Sequence, residues 1–73
     1  MFVIYAADKL KFIINNYGYY AGKTYFVAGE EYLICDDRMT ERTKRYSTYK
    51  RALSATAALK CKWGLIDFKV EEI

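Results

Sequence analysis

The stretch Lys44 to Trp63, KRYSTYKRALSATAALKCKW, determines the architecture because it holds the one run regular enough for a long helix. Good or tolerable helix formers fill it from Thr48 onward, and no glycine or proline interrupts it before Gly64. The hydroxyl of Ser47 or Thr48 is suited to cap the first-turn amides, and Gly64 is suited to a left-handed C-terminal stop. The sequence therefore predicts a helix over residues 48–62.

One face of this predicted helix is apolar. At 3.6 residues per turn, a single stripe contains Tyr49, Ala52, Leu53, Thr56, Leu59 and Trp63. We expect the helix to pack on a sheet, with Trp63 closing one end of the core and with four buried side chains: Ala52, Leu53, Thr56 and Leu59. The alanines keep the helix thin, so that its backbone approaches the sheet closely.

Alternating apolar residues predict strands before and after the helix. Even-numbered positions are apolar over residues 2–6 and 10–14, with a possible interruption at Ala7-Asp8-Lys9, which fits either two short strands or one long bent strand. Asn and Gly over residues 15–18 predict a hairpin turn. Residues 19–35 predict at least two more strands, broken by Gly22-Lys23 and by a turn at Gly29-Glu30.

The last strand is predicted over residues 65–71, where Ile66, Phe68 and Val70 alternate with charged residues. Connections between the earlier strands are too short for crossovers, which makes the sheet antiparallel. The fold class is therefore α+β: a sheet of about four to five strands with one helix across one face. At 73 residues, with 53% apolar residues, the chain forms a single domain over residues 1–73.

Residues 1–7 lack the features of a signal peptide, and no uncharged apolar run approaches 18 residues. We therefore expect a cytoplasmic protein without a membrane partner, active alone or as a homodimer. Cys35 and Cys61 are expected to be reduced, passive packing residues.

Positive charge is concentrated next to the predicted helix. The net charge of the chain is +3, whereas residues 38–51 alone carry +5. This segment is compatible with a solvated surface or with a binding site for phosphates or an acidic protein surface. The candidate binding residues there are Arg38, Arg42, Lys44, Arg45, Tyr46, Tyr49, Lys50 and Arg51.

Tyrosines supply a second candidate surface. Neighbouring residues of a strand face opposite sides of a sheet, so some tyrosines of the predicted hairpin must face away from the core. Rigid aromatic side chains with a hydroxyl are favoured binding anchors, although tyrosines beside a small sheet also serve as packing residues. Tyr17 and Tyr19 are the candidate anchors.

Enzyme activity is not expected. The chain contains no histidine, which excludes nucleophiles activated by histidine, and two cysteines with scattered carboxylates do not predict a metal site. Gly22-Lys23-Thr24 lacks the upstream glycine of a phosphate-binding loop. We predict no catalytic residues, no metal and no cofactor.

Four features carry a resemblance: the tyrosine-rich strands, the connection from Asp36-Asp37 to KRY, the run RYSTYKRALSATAALK and the final VEEI. Together they resemble small early proteins of phages and prophages of low-GC bacteria. Such proteins include inhibitors of host defence, among them anti-CRISPR proteins. The resemblance implies a stoichiometric inhibitor, acting in an infected bacterial cell, of a host protein or ribonucleoprotein complex. The alternative is a small DNA- or RNA-binding protein that uses the same basic segment.

Overall fold

The described residues form three strands, then a helix, then a last strand. In the computed structural model, which describes residues 1–8 and 16–73, the elements are β1 (Phe2–Asp8), β2 (Asn16–Val27), β3 (Glu30–Asp36), α1 (Tyr49–Lys62) and β4 (Ile66–Glu72). The strands form one antiparallel sheet in the order β3-β2-β1-β4. The predicted α+β class and the final strand are confirmed, with four strands in the sheet.

The core lies between α1 and the β1–β4 pair. Ala6 of β1 is opposite Phe68 of β4 in the register, so alternate residues of both strands face the helix. The buried cluster contains Ile4, Ala6, Leu59, Ile66 and Phe68. The predicted alternation of β4 is confirmed for Ile66 and Phe68, which are buried, whereas β1 buries Val3 as well as Ile4 and Ala6.

The helix begins after Thr48, whose hydroxyl accepts a hydrogen bond from the Arg51 amide at 3.2 Å. Three of the four predicted contact residues are buried: Ala52, Thr56 and Leu59. Leu53 is 46% exposed, so its predicted burial is wrong. The helix is rotated so that Ala55 flanks the core, and Leu53 lies about 100° around the helix from Ala52, beyond the contact.

The helix ends without a left-handed residue. The cap is Trp63, with φ −123° and with its amide donating to the Leu59 carbonyl at 2.9 Å. The predicted left-handed stop at Gly64 is wrong, because the chain turns straight into β4 through a 3.1 Å bond from the Ile66 amide to the Trp63 carbonyl. Trp63 itself is half-buried against the core, as predicted.

Two glycines that the sequence suggests as turn residues lie inside β2. Asn16 to Gly18 belong to the strand and not to the predicted turn, whereas Asn15 and the apolar positions 10–14 lie outside the described residues. Gly18 has φ +103° beside an irregularity in the β1–β2 register, and a Cβ there would meet the Asp36 carbonyl oxygen at 2.1 Å. Glycine is needed because the backbones approach closely.

Gly22 also lies within β2, where it has φ +80° at a shift in the β2–β3 register. The predicted break at Gly22-Lys23 is therefore a bulge within one long strand. The turn between β2 and β3 is formed by Ala28 and Gly29, one residue earlier than the sequence predicts.

Candidate functional site

The basic groove is a surface depression of about 550 Å³ at the start of α1. Its lining residues come from the chain end, the connection before the helix and the first turns of the helix: Met1, Lys44, Arg45, Tyr46, Ser47, Lys50, Arg51 and Ser54. Four of them carry a positive charge and none carries a negative charge. Five of the ten predicted binding residues are thus brought together: Lys44, Arg45, Tyr46, Lys50 and Arg51.

Backbone pairing fixes one wall of the groove. Phe2 and Tyr46 exchange two backbone hydrogen bonds of 2.9 and 2.8 Å, which join this segment to β1. The Lys44 amide donates to the Tyr20 carbonyl at 3.0 Å. Thr43, immediately before the groove, is only 3% exposed. The connection before the helix is therefore hydrogen-bonded to β1 and β2, while its basic side chains remain exposed to solvent.

The helix supplies the other wall. Lys50 and Arg51 lie in the first turn, where no acidic side chain is present. This end of a helix carries the positive pole of the backbone dipoles, so the two cations add to an existing positive potential. A few tenths of a kcal/mol per exposed side chain is the expected cost to the helix. The same arrangement attracts anions.

The four cations of the groove are exposed and are not neutralised by the ion pairs of the described residues. These pairs, Arg42–Asp36 and Lys62–Glu31, both lie outside the groove. Arg45 donates to the Thr43 carbonyl at 3.1 Å, and the Lys44 ammonium lies 5.7 Å from the centroid of the Tyr46 ring. These contacts orient the side chains without cancelling their charge.

Three predicted site residues of the same segment lie outside the groove. Arg42 donates to Asp36 through both Nε, at 2.8 Å, and a terminal nitrogen, and this hydrogen bonding lowers the pKa of the Asp36 carboxyl. Arg42 is therefore a structural partner of β3. Arg38 is exposed and does not line the groove, and Tyr49 packs its ring 5.6 Å from that of Phe2.

The two tyrosine candidates are separated from the basic groove and from each other. Tyr19 stacks edge-on against Tyr5 at 5.0 Å and donates to Glu71 at 3.3 Å, and the Glu71 charge raises the pKa of its hydroxyl. Tyr17 packs against the core and lines a second depression, the aromatic groove. The lining of the aromatic groove is Tyr17, Tyr25, Glu30, Glu31, Tyr32, Leu33, Lys62, Trp63, Gly64, Leu65 and Ile66.

Ser47 and Ser54 are groove residues that the sequence analysis did not select. Ser54 lies three and four residues after Arg51 and Lys50, which places these three residues on neighbouring positions of the helix surface. Ser47 precedes the N-cap Thr48 and reaches the groove from the connection before the helix. A search for polar as well as apolar helical stripes would have found Ser54. The aromatic groove had no such signal, because its residues come from β2, β3, the end of α1 and the start of β4.

Within the described residues, no three histidine, cysteine, aspartate or glutamate side chains are grouped so that they could hold a metal ion. No helix in the described part of the chain combines the length and the apolar character that crossing a membrane requires. Comparison with known proteins found no matching family model, no matching curated protein and no matching solved structure.

Proposed function

We propose that this protein is a non-enzymatic binding protein that attaches to an anionic surface of a macromolecular partner through the basic groove. The observation that carries this proposal is the convergence of Lys44, Arg45, Lys50 and Arg51 on one depression whose lining contains no carboxylate. Such a local field increases the rate of encounter with an anionic partner and orients it.

The resemblance to small phage and prophage proteins points to a more specific role. The protein would be a phage-encoded stoichiometric inhibitor, similar to anti-CRISPR proteins, of a bacterial defence or nucleic-acid-processing complex in the host cytoplasm. A ribonucleoprotein target would present phosphates and a protein target would present acidic side chains, and either group suits a cluster of arginine and lysine. A protein or ribonucleoprotein surface is the preferred partner because the net charge of the chain is only +3.

Direct binding of DNA or RNA is the second candidate. The groove favours it in one respect, since the hydroxyls of Ser47 and Ser54 lie beside the cations and hydroxyls commonly contact phosphate oxygens. Four clustered cations are few for a protein whose whole affinity comes from phosphates.

Capture from a bacterial lysate tests the proposal, with and without nuclease treatment. A variant with Arg45→Glu, Lys50→Glu and Arg51→Glu is compared with a control that has the same charge change outside the groove, Lys23→Glu, Lys60→Glu and Lys69→Glu. We expect a nuclease-resistant partner that the control retains and the groove variant loses. Addition of the protein to the purified partner at a 1:1 ratio should then abolish its activity.

Equal loss in both variants would show that net charge, and not the groove, governs binding. Loss of every partner after nuclease treatment would support the nucleic-acid alternative. A partner whose activity is unchanged at saturation would contradict the inhibitor role.

A further inference from the structure

The aromatic groove lies at the opposite end of α1 from the basic groove. Its lining includes Lys62 and Trp63 at the end of the helix, whereas the basic groove includes Lys50 and Arg51 at its start. A helix of 14 residues is about 21 Å long, so the two grooves are separate surfaces. The volume of about 640 Å³ is that of a site able to receive a large side chain or a small ligand.

The aromatic rings of this groove are held by neighbours yet remain open to a partner. Tyr25 and Tyr32 stack at 5.6 Å between ring centroids and are 47% and 41% exposed. The Tyr32 hydroxyl donates to Glu30 at 2.6 Å, and this bond raises its pKa. Trp63 donates from its indole nitrogen to the Glu31 carbonyl at 3.4 Å. The rings therefore need little reordering when they bind.

One half of the groove already holds a cation. The Lys62 ammonium lies 5.6 Å from the centroid of the Trp63 ring and 2.9 Å from a carboxylate oxygen of Glu31. The other oxygen of Glu31 accepts from the Thr24 hydroxyl at 2.6 Å, and the two hydrogen bonds, that from Thr24 first, lower the pKa of the carboxyl. A cation between an aromatic face and a carboxylate is a favourable arrangement.

The other half of the groove also contains aromatic rings and a carboxylate, but no cation of the described residues. Tyr25 and Tyr32 provide aromatic faces, and Glu30 provides a carboxylate with one oxygen bound to Tyr32. Across residues 1–8 and 16–73, no lysine or arginine forms an ion pair with Glu30. Two carboxylates and one ammonium line the groove, so its local charge is negative in a chain of net charge +3.

We propose that the aromatic groove binds an arginine side chain of a partner protein, with the guanidinium against Tyr25 and Tyr32 and paired with Glu30. Arginine fits better than lysine because its planar group stacks on aromatic rings while its N–H groups bind a carboxylate. The inference concerns a different surface from the basic groove and does not depend on the function proposed for that groove.

The fluorescence of Trp63, the single tryptophan of the chain, reports on this groove directly. The probe is an acetylated and amidated triarginine peptide, and its control is the same peptide with citrulline, which keeps the shape and lacks the charge. We expect a saturable fluorescence change with triarginine only. Glu30→Gln and Tyr25→Leu should each weaken binding by about threefold or more, the scale of one exposed pair.

Glu72→Gln is the matched variant, since it removes one exposed carboxylate at the far end of β4. It should bind triarginine as the unmodified protein does. The proposal is overturned by equal binding of the citrulline peptide, by equal weakening in Glu72→Gln, or by no saturable change up to about 10 mM peptide. Self-association that Glu30→Gln disrupts, seen by sedimentation, would also overturn it by making a second copy the occupant.

Discussion

Leu59 and Leu53 lie six residues apart on α1 in different surroundings. Leu59 is 8% exposed within the core cluster, whereas Leu53 is 46% exposed. Leu59→Ala should therefore lower the free energy of unfolding by about 2–5 kcal/mol, because it leaves a cavity in a small core. Leu53→Ala should cost less than about 1 kcal/mol, since alanine keeps the helix propensity and no cavity forms.

Urea denaturation of both leucine variants measures this difference, because each makes the same chemical change on the same helix. A loss below about half a kcal/mol for Leu59→Ala would contradict the packing of α1 on β1 and β4. Equal losses in the two variants would instead place Leu53 in the core.

Cys35 illustrates how burial controls reactivity. Burial raises the pKa of its thiol from 9.0 to about 11, which leaves few reactive thiolates at neutral pH. In a Cys61→Ser variant at pH 8, a thiol reagent should label folded protein about 100-fold more slowly than the urea-unfolded chain. The rate for folded protein should increase about tenfold per pH unit between pH 8 and 10.

The same shift has a consequence for stability. Between pH 9 and about 11 the unfolded thiol loses its proton while the folded thiol keeps it. The contribution of this thiol to the free energy of unfolding is therefore fully present below pH 9 and is lost as the pH rises towards 11. Rapid labelling of folded Cys35 at pH 8 would contradict its burial and would make this cysteine a candidate for redox chemistry.

At the scale of elements, periodicity predicted the helix and the last strand well. Both segments have one face on the core, so burial enforces a repeat of 3.6 or 2 residues. The orientation of β2 could not be predicted in this way, because bulges near Gly18 and Gly22 interrupt its alternation. A glycine with positive φ is equally compatible with a turn and with a bulge, and only the pairing with the neighbouring strand distinguishes the two.

The candidate site could be predicted in part, because some of its residues are also neighbours in the sequence. The basic groove draws most of its cations from one short stretch of chain, Lys44 to Arg51, and local clustering is visible in a sequence. Arg42 carries the same charge, but its side chain forms an ion pair with Asp36, six residues earlier at the end of β3. The aromatic groove depends on the meeting of four elements, which no local pattern encodes.

The turn of the β2–β3 hairpin contains a strained backbone conformation that a substitution can relieve. Ala28 has φ +51° and Gly29 has φ +82°, and positive φ at both central residues is what a two-residue hairpin turn requires. Alanine tolerates this region poorly, whereas Asn-Gly is the preferred pair. Ala28→Asn should therefore raise the free energy of unfolding by about 0.5–1 kcal/mol, as measured by thermal or urea denaturation.

Gly29→Ala is the opposite change in the same turn. A Cβ at Gly29 would meet no atom within 4 Å, so only backbone conformation opposes it, and it should destabilise by about 1 kcal/mol. Destabilisation by Ala28→Asn would show that the Ala28 methyl makes a contact that outweighs its backbone strain.

At the scale of the whole molecule, charge is separated along the helix. The start of α1 carries the four cations of the basic groove, and its end borders the negatively charged aromatic groove. Screening acts over about 8–10 Å at physiological salt, so the two ends of this helix, about 21 Å apart, keep separate local fields. This separation favours a partner that offers both an anionic patch and a cationic one.

The salt dependence of nucleic-acid binding separates the two proposed partners. If the four cations of the basic groove each neutralised one duplex phosphate, the logarithm of the association constant would fall with the logarithm of salt concentration at a slope of about −3.6. We expect instead that duplex and single-stranded probes bind only weakly at about 150 mM salt, because so few phosphate contacts give little affinity there. Fluorescence anisotropy across a salt series measures both quantities, with the variant carrying Arg45→Glu, Lys50→Glu and Arg51→Glu as the control for the groove. Submicromolar affinity at about 150 mM salt, with that slope and with its loss in the variant, would make nucleic acid the primary partner.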